Sequence, residues 1–140
     1  MRAECESLPG ARDFVAELRR RGIATVLASS SGADDVEYFM RRIGIEDLVD
    51  GWTTKDDVER AKPEPDVVHA ALAKAGTEDA VMVGDSRWDI EAAGNAGLET
   101  VCVITGGWSI QELRDHGAVA VFESLVDLTE ALDSTPIAAP

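Results

Sequence analysis

Apolar and polar positions switch between two periods along this chain. Ala11, Phe14, Val15 and Leu18 recur at helical spacing with charges between them, and Gly22 stops the stretch. Ile23 to Ala28 follows as a nearly unbroken apolar run, the pattern of a strand buried on both faces. Val36, Phe39, Met40 and Ile43 predict the next helix, closed at Gly44, and a weak strand is expected near Gly51-Trp52-Thr53. A helix opened by Lys62-Pro63-Glu64-Pro65-Asp66 carries Val67, Val68, Ala71 and Leu72 on its core face. Ala80 to Val83 is the next strand, Asp89 to Ala96 a helix ending near Gly97, and Thr100 to Ile104 another strand. After the Gly106-Gly107 loop come a short helix at Ile110 and Leu113, a last strand at Ala118 to Phe122, and a last helix at Leu125, Leu128 and Leu132.

Strands alternating with helices of this length predict an α/β fold. The expected form is a three-layer, Rossmann-like parallel sheet with helices on both faces. It forms one domain over residues 1–133, followed by a loose tail at 134–140 whose small residues and prolines cannot build an element. In such sheets ligands bind beyond the carboxyl ends of the strands. Three polar clusters fall there: Ser29-Ser30-Ser31, the Lys62 loop, and Asp85 with Asp89.

Composition narrows the function classes. The 140 residues are 45% hydrophobic but only 5% aromatic, so aliphatic side chains and alanine must fill the core. The net charge of −14 argues against nucleic acid or an anionic membrane as partner, and requires any bound phosphate to be met by local cations or a metal. No apolar run approaches the ~20 residues of a membrane span, and the first residues carry no signal-peptide pattern. Cys5 and Cys102 stand far apart without a metal-ligand pattern, as expected for reduced thiols in a cytoplasmic protein.

The candidate chemistry lies at the predicted strand ends. Asp85, after Gly84 at the end of an apolar run, and Asp89, four residues on, offer two carboxylates to one spot. Mg²⁺ takes oxygen ligands and is held by one or two carboxylates plus water and substrate phosphate. The competing role for each aspartate is a turn or a helix cap. Ser29 and Ser30 offer hydroxyl and backbone donors to an anionic oxygen, or an N-cap to the next helix. Lys62, fixed ahead of Pro63, can neutralise charge on a transferring phosphoryl group, or stand as a solvated lysine. Lys55, Lys74, His69 and His116 are read as ordinary surface residues. Trp88 either lines a substrate mouth or packs over the sheet end, and packing is the preferred reading.

The order of these parts resembles the haloacid dehalogenase-like hydrolase superfamily, in its phosphatase and phosphoglucomutase-like branch. A strand ending in Ser29 is followed by Ala61-Lys62-Pro63-Glu64-Pro65-Asp66. Next come Val83-Gly84-Asp85-Ser86 and Ala92-Ala93-Gly94-Asn95-Ala96-Gly97. Leu8-Pro9-Gly10-Ala11, Thr105-Gly106-Gly107 and Leu113 with Gly117-Ala118 continue the likeness over nearly the whole chain. The resemblance implies a Mg²⁺-dependent phosphomonoesterase in which an aspartate attacks phosphorus. It assigns Ser29 to a phosphoryl oxygen, Lys62 to the nucleophile and the phosphoryl charge, Asp85 to Mg²⁺, and Asp89 to the support of the metal or of Lys62. The implied substrate is a small phosphorylated metabolite.

The family's first motif, Asp-x-Asp at the end of its first strand, does not occur in this sequence. With only seven residues before Leu8, the first central strand, the nucleophile and the cap are expected to be missing, leaving a core with little or no activity of its own. The strands at Ile23 and Ala80 then pair directly, recruit another segment, or leave open edges. Open edges invite a homodimer or a strand-complementing partner. The alternative is a non-catalytic phosphate- or metal-binding module on the same scaffold. A receiver-type signalling domain fits less well, because Lys62-Pro63 precedes Asp85. P-loop and dinucleotide fingerprints are both absent from the sequence.

Overall fold

The structure, a computed structural model, describes residues 10–29, 31–57, 65–105 and 107–138. Helix α1 (Ala11–Arg20) buries the predicted face of Ala11, Phe14, Val15 and Leu18. Strand β1 (Val26–Leu27) and helix α2 (Ala33–Ile43) follow, and α2 closes on Gly44, whose φ of 80° only a glycine adopts without strain. After β2 (Gly51–Trp52) and a 3₁₀ turn (Lys55–Asp57) come α3 (Asp66–Ala75), β3 (Val81–Gly84), α4 (Arg87–Asn95) and β4 (Glu99–Val103). Helix α5 (Ile110–Asp115), β5 (Ala120–Phe122), α6 (Leu125–Glu130) and a second 3₁₀ turn (Leu132–Ser134) complete the order.

Every strand pair is parallel, as the alternation of strands and helices requires. Among the described residues the strands form two sheets, β1–β2 and β3–β4–β5. β1 and β3 are therefore not joined to each other, and each is an edge. The apolar run from Ile23 to Ala28 yields a strand of only two residues, because β1 has one neighbour and that neighbour is itself two residues long.

Helices cover both faces. On one face Phe14, Val15 and Leu18 of α1, Val36 and Met40 of α2, and Leu128 and Leu132 pack with Leu27, Val81, Val83, Val101 and Val103. On the other, Val67 and Val68 of α3 and Ala92 of α4 meet Ala28 and Met82, while Ile90 and Leu113 meet Cys102. Neighbouring residues of β3 and β4 divide between the two faces, which is the period of two that a doubly covered strand must show. Beyond Ser134 the chain still touches the core as far as Ile137. Thr135 is buried and donates its hydroxyl to the Leu132 carbonyl, and Ile137 packs against the first cluster. Arg21 bonds Asp133 at 2.6 Å and pins this segment to α1. No helix among the described residues is long and apolar enough to cross a membrane.

Candidate active site

Asp85 follows the last residue of β3, and the backbone then turns directly into α4. Ser86 caps that helix, its Oγ accepting from the Asp89 N–H. Asp89 folds back over the turn. Its Oδ2 accepts from the Asp85 N–H at 2.9 Å and from the Ser86 hydroxyl at 3.3 Å, and the residue is only 5% exposed. Gly84 is the condition for this approach. A Cβ added there would lie 2.5 Å from the Asp89 carboxylate, closer than non-bonded atoms come. The Asp89 carboxylate thus fixes the loop that carries Asp85.

The Asp85 carboxylate accepts from the Thr105 hydroxyl at 3.3 Å, which links the ends of β3 and β4. Between these strands Cys102, paired with Gly84 in the ladder, has its thiol pushed up to about 12, first by burial and then by the charges of Asp89 and Asp85. Cys102 is therefore an inert core thiol; Cys5 lies outside the described residues.

Ser29 stands just beyond the end of β1. Its hydroxyl accepts from the Ser31 N–H at 3.1 Å, closing a tight turn rather than capping α2, whose N-cap is Gly32. Thr53, fully buried at the end of β2, accepts from the Ser29 N–H at 2.8 Å and donates to the Ser29 carbonyl at 2.7 Å. The Lys55 N–H bonds the Ser31 carbonyl at 2.8 Å, so the β2 loop anchors the serine loop twice. Ser30 and Lys62 lie outside the described residues.

A cleft of about 670 Å³ runs between β1 and β3. Ala28, the residue before Ser29, lines it together with Gly84, Asp85, Asp89 and Thr105. The structure thus brings the ends of β1 and β3 to one cleft. Thr53 and Thr105 were not expected, since their roles depend on which strands become neighbours. Trp88 is 41% exposed, with the Arg87 guanidinium 4.1 Å from its ring centroid.

Asp85 and Asp89 offer hard oxygen donors of the kind a divalent cation such as Mg²⁺ takes. Among the described residues no three His, Cys, Asp or Glu side chains gather into a cage. The donor set fits an ion held through one or two carboxylates, with its other ligands from water and substrate.

The haloacid dehalogenase-like hydrolase pattern matches residues 1–97. The chain belongs to that family. Pyrophosphatase PpaX of Bacillus velezensis is 34% identical over 117 residues, covering 80% of this chain and 53% of the relative. Phosphoglycolate phosphatase of Rhodospirillum rubrum is 30% identical over 126 residues, covering 89% of this chain and 52% of the relative. The chain therefore spans about half the length of these curated relatives. Among solved structures, a hydrolase from Pseudomonas syringae superposes with a TM-score of 0.83 at 32% identity, over 91% of this chain and 62% of that one. A family hydrolase from Deinococcus radiodurans with bound phosphate and sodium gives 0.80 at 25% identity, over 95% and 62%.

Proposed function

We propose that this chain is the phosphoryl-handling core of a Mg²⁺-dependent phosphomonoesterase. Asp85 would be the direct metal ligand. Ser29, Ser30 and Lys62 would hold the phosphoryl oxygens of a small phosphorylated metabolite, Ser29 and Lys62 as the catalytic pair. The observation that carries this reading is the shared cleft: the end of β1 and the Asp85 carboxylate, steadied by Thr105, open onto one space at the carboxyl ends of parallel strands. The phosphatase and pyrophosphatase names of the relatives agree with it. Asp89 takes a positioning role, because its Oδ2 already receives the Asp85 amide and the Ser86 hydroxyl. Bound Mg²⁺ would supply charge stabilisation at the phosphoryl group. Ser29 would offer its hydroxyl proton to a phosphoryl oxygen while its oxygen still accepts from the Ser31 N–H. Phosphoryl transfer asks chiefly for such placement and neutralisation.

This polypeptide holds no Asp-x-Asp, so it would bind without turning over. The second reading, a phosphate- or metal-binding module, is the same site seen without a nucleophile. Mg²⁺ titration followed by NMR should shift the Asp85, Ser86 and Thr105 amides saturably, and Asp85→Asn should abolish the shifts. With p-nitrophenyl phosphate and Mg²⁺, turnover should not exceed background. Turnover that Asp85→Asn removes would overturn the inactivity, and absence of Mg²⁺ binding would overturn the metal site.

A further inference from the structure

A second cavity opens at the amino end of β4, whereas Asp85 and Thr105 meet at its carboxyl end. It measures about 490 Å³, within the ~300–1,000 Å³ of small-molecule sites. Ile90, Glu91 and Gly94 of α4 form one wall, and Leu98, Thr100 and Gly117 complete it. His116 stands at the rim, its ring edge-on to Trp108 with centroids 6.1 Å apart.

Thr100 gives this cavity its chemistry. Cys102 and Ile104 pack with Ile90 and Leu113 on the α4–α5 side of the sheet, while Val101 and Val103 pack on the other side. Side chains alternate along a strand, so Thr100, two residues before Cys102, turns toward α4 and into the cavity. The residue is 2% exposed, and its hydroxyl has no hydrogen-bond partner among the described residues. A buried hydroxyl left unpaired is costly, and this one is able both to donate and to accept.

The surroundings favour positive charge. Glu91 lines the cavity, and among the described residues no Lys or Arg does. Helix α4 ends here with no basic residue in its last turn, so no side chain of that turn offsets the negative end of its dipole. Ile90 and Leu98 add an apolar wall. Gly94 keeps the α4 side open. Its φ is not positive, so its backbone does not require glycine, and a Cβ there would meet no neighbouring element within 4 Å. Glycine within a helix is unfavourable relative to alanine; what it supplies here is room.

We propose that this cavity binds a small alkylammonium. Its N–H donates to the Thr100 hydroxyl, Glu91 and the carbonyl end of α4 favour its charge, and its hydrocarbon chain lies along Ile90 and Leu98. A carboxylate of the same shape would be repelled by Glu91 and by the same helix end. The site lies at the opposite end of the sheet from Asp85, and the inference does not need the catalytic reading.

The test titrates the full chain with n-pentylammonium chloride, followed by amide NMR, with pentanol and pentanoate as neutral and anionic controls. Expected is saturable binding, millimolar or tighter, that shifts the Gly94, Leu98, Thr100 and Gly117 amides more than those of Asp85 and Thr105. Each control should bind roughly tenfold more weakly or worse. Thr100→Val keeps the shape and removes the unpaired hydroxyl. Its urea midpoint should hold or rise, while its affinity for pentylammonium falls about tenfold. The proposal is overturned if no saturable shift appears, so that water alone fills the cavity, if pentanol or pentanoate binds as well, or if the largest shifts fall at Asp85. It is equally overturned if Thr100→Val binds as tightly as the parent, or if its urea midpoint drops, which would show that the hydroxyl already has a partner.

Discussion

The two sheets of this protein are built from equally apolar sequence and differ in almost everything else. Thr100 to Val103 of β4 has a strand on each side and lies buried throughout, with Val101 and Cys102 wholly inaccessible. Among the described residues Ile23 to Ala28 has a neighbour on one side, forms a two-residue ladder, and leaves its residues half-buried or exposed. The difference teaches that an apolar run sets which residues want burial, whereas the extent of a strand is set by how many partners its backbone finds. The two chemical loops inherit the contrast. Asp85 sits on the well-paired sheet and is held by its own turn, by Asp89 and by Thr105. Ser29 sits on the poorly paired sheet and relies on Thr53 and the β2 loop.

The largest effect should come from the well-paired half. Leu113 is fully buried on α5 against Ile90 and Cys102, so Leu113→Ala should cost about 2–5 kcal/mol in urea unfolding. Amides of β3 to β5 should lose protection together. If β1 and β2 alone opened, the contrast would be reversed. Thr53→Val keeps shape but removes both side-chain bonds to Ser29, for an expected loss of about 1–3 kcal/mol. Here exchange should quicken at Ser29 and Ser31 while Val81 to Gly84 stays as before, and a uniform change would erase the distinction between the halves.

The smallest effect is electrostatic. Glu17 is pulled down to about 2, first by its hydrogen bond from Arg20 and then by that from Arg21. A carboxylate lowered in the folded state stabilises above its ordinary value of 4.5, and that contribution fades as pH falls toward 2. Glu17→Gln should therefore lower stability slightly above pH 4.5, as suits an exposed pair, with the difference from the parent shrinking as pH falls toward 2, so that the acid limb is flatter. Urea midpoints measured across that range would show it, and an unchanged acid limb would mean the pair contributes nothing.

Much of the fold was legible in the sequence. Gly22 and Gly44 marked helix ends, and the spacing of Phe14, Val15 and Leu18 marked a buried face. Ser109 with Glu112 and Ser124 with Asp127 are further legible signals, since a serine three residues ahead of an acid caps the helix that follows. Ser86 with Asp89 is the same pattern, which is why Asp89 serves the turn as well as the site. Thr53 and Thr105 gave no such signal, because a threonine at a strand end is ordinary until a neighbouring strand brings it to Ser29 or Asp85.

By itself the sequence determined the alternation of elements, the two apolar faces and the delivery of carboxylates after Gly84, because these depend on local periodicity and turn chemistry. Only the tertiary structure decided that among the described residues the sheet divides between β1 and β3, that Asp89 packs against Gly84, and that Thr53 and Thr105 meet Ser29 and Asp85. Those outcomes depend on which distant segments become neighbours, and backbone hydrogen bonding across strands carries no trace of its partner in the local sequence.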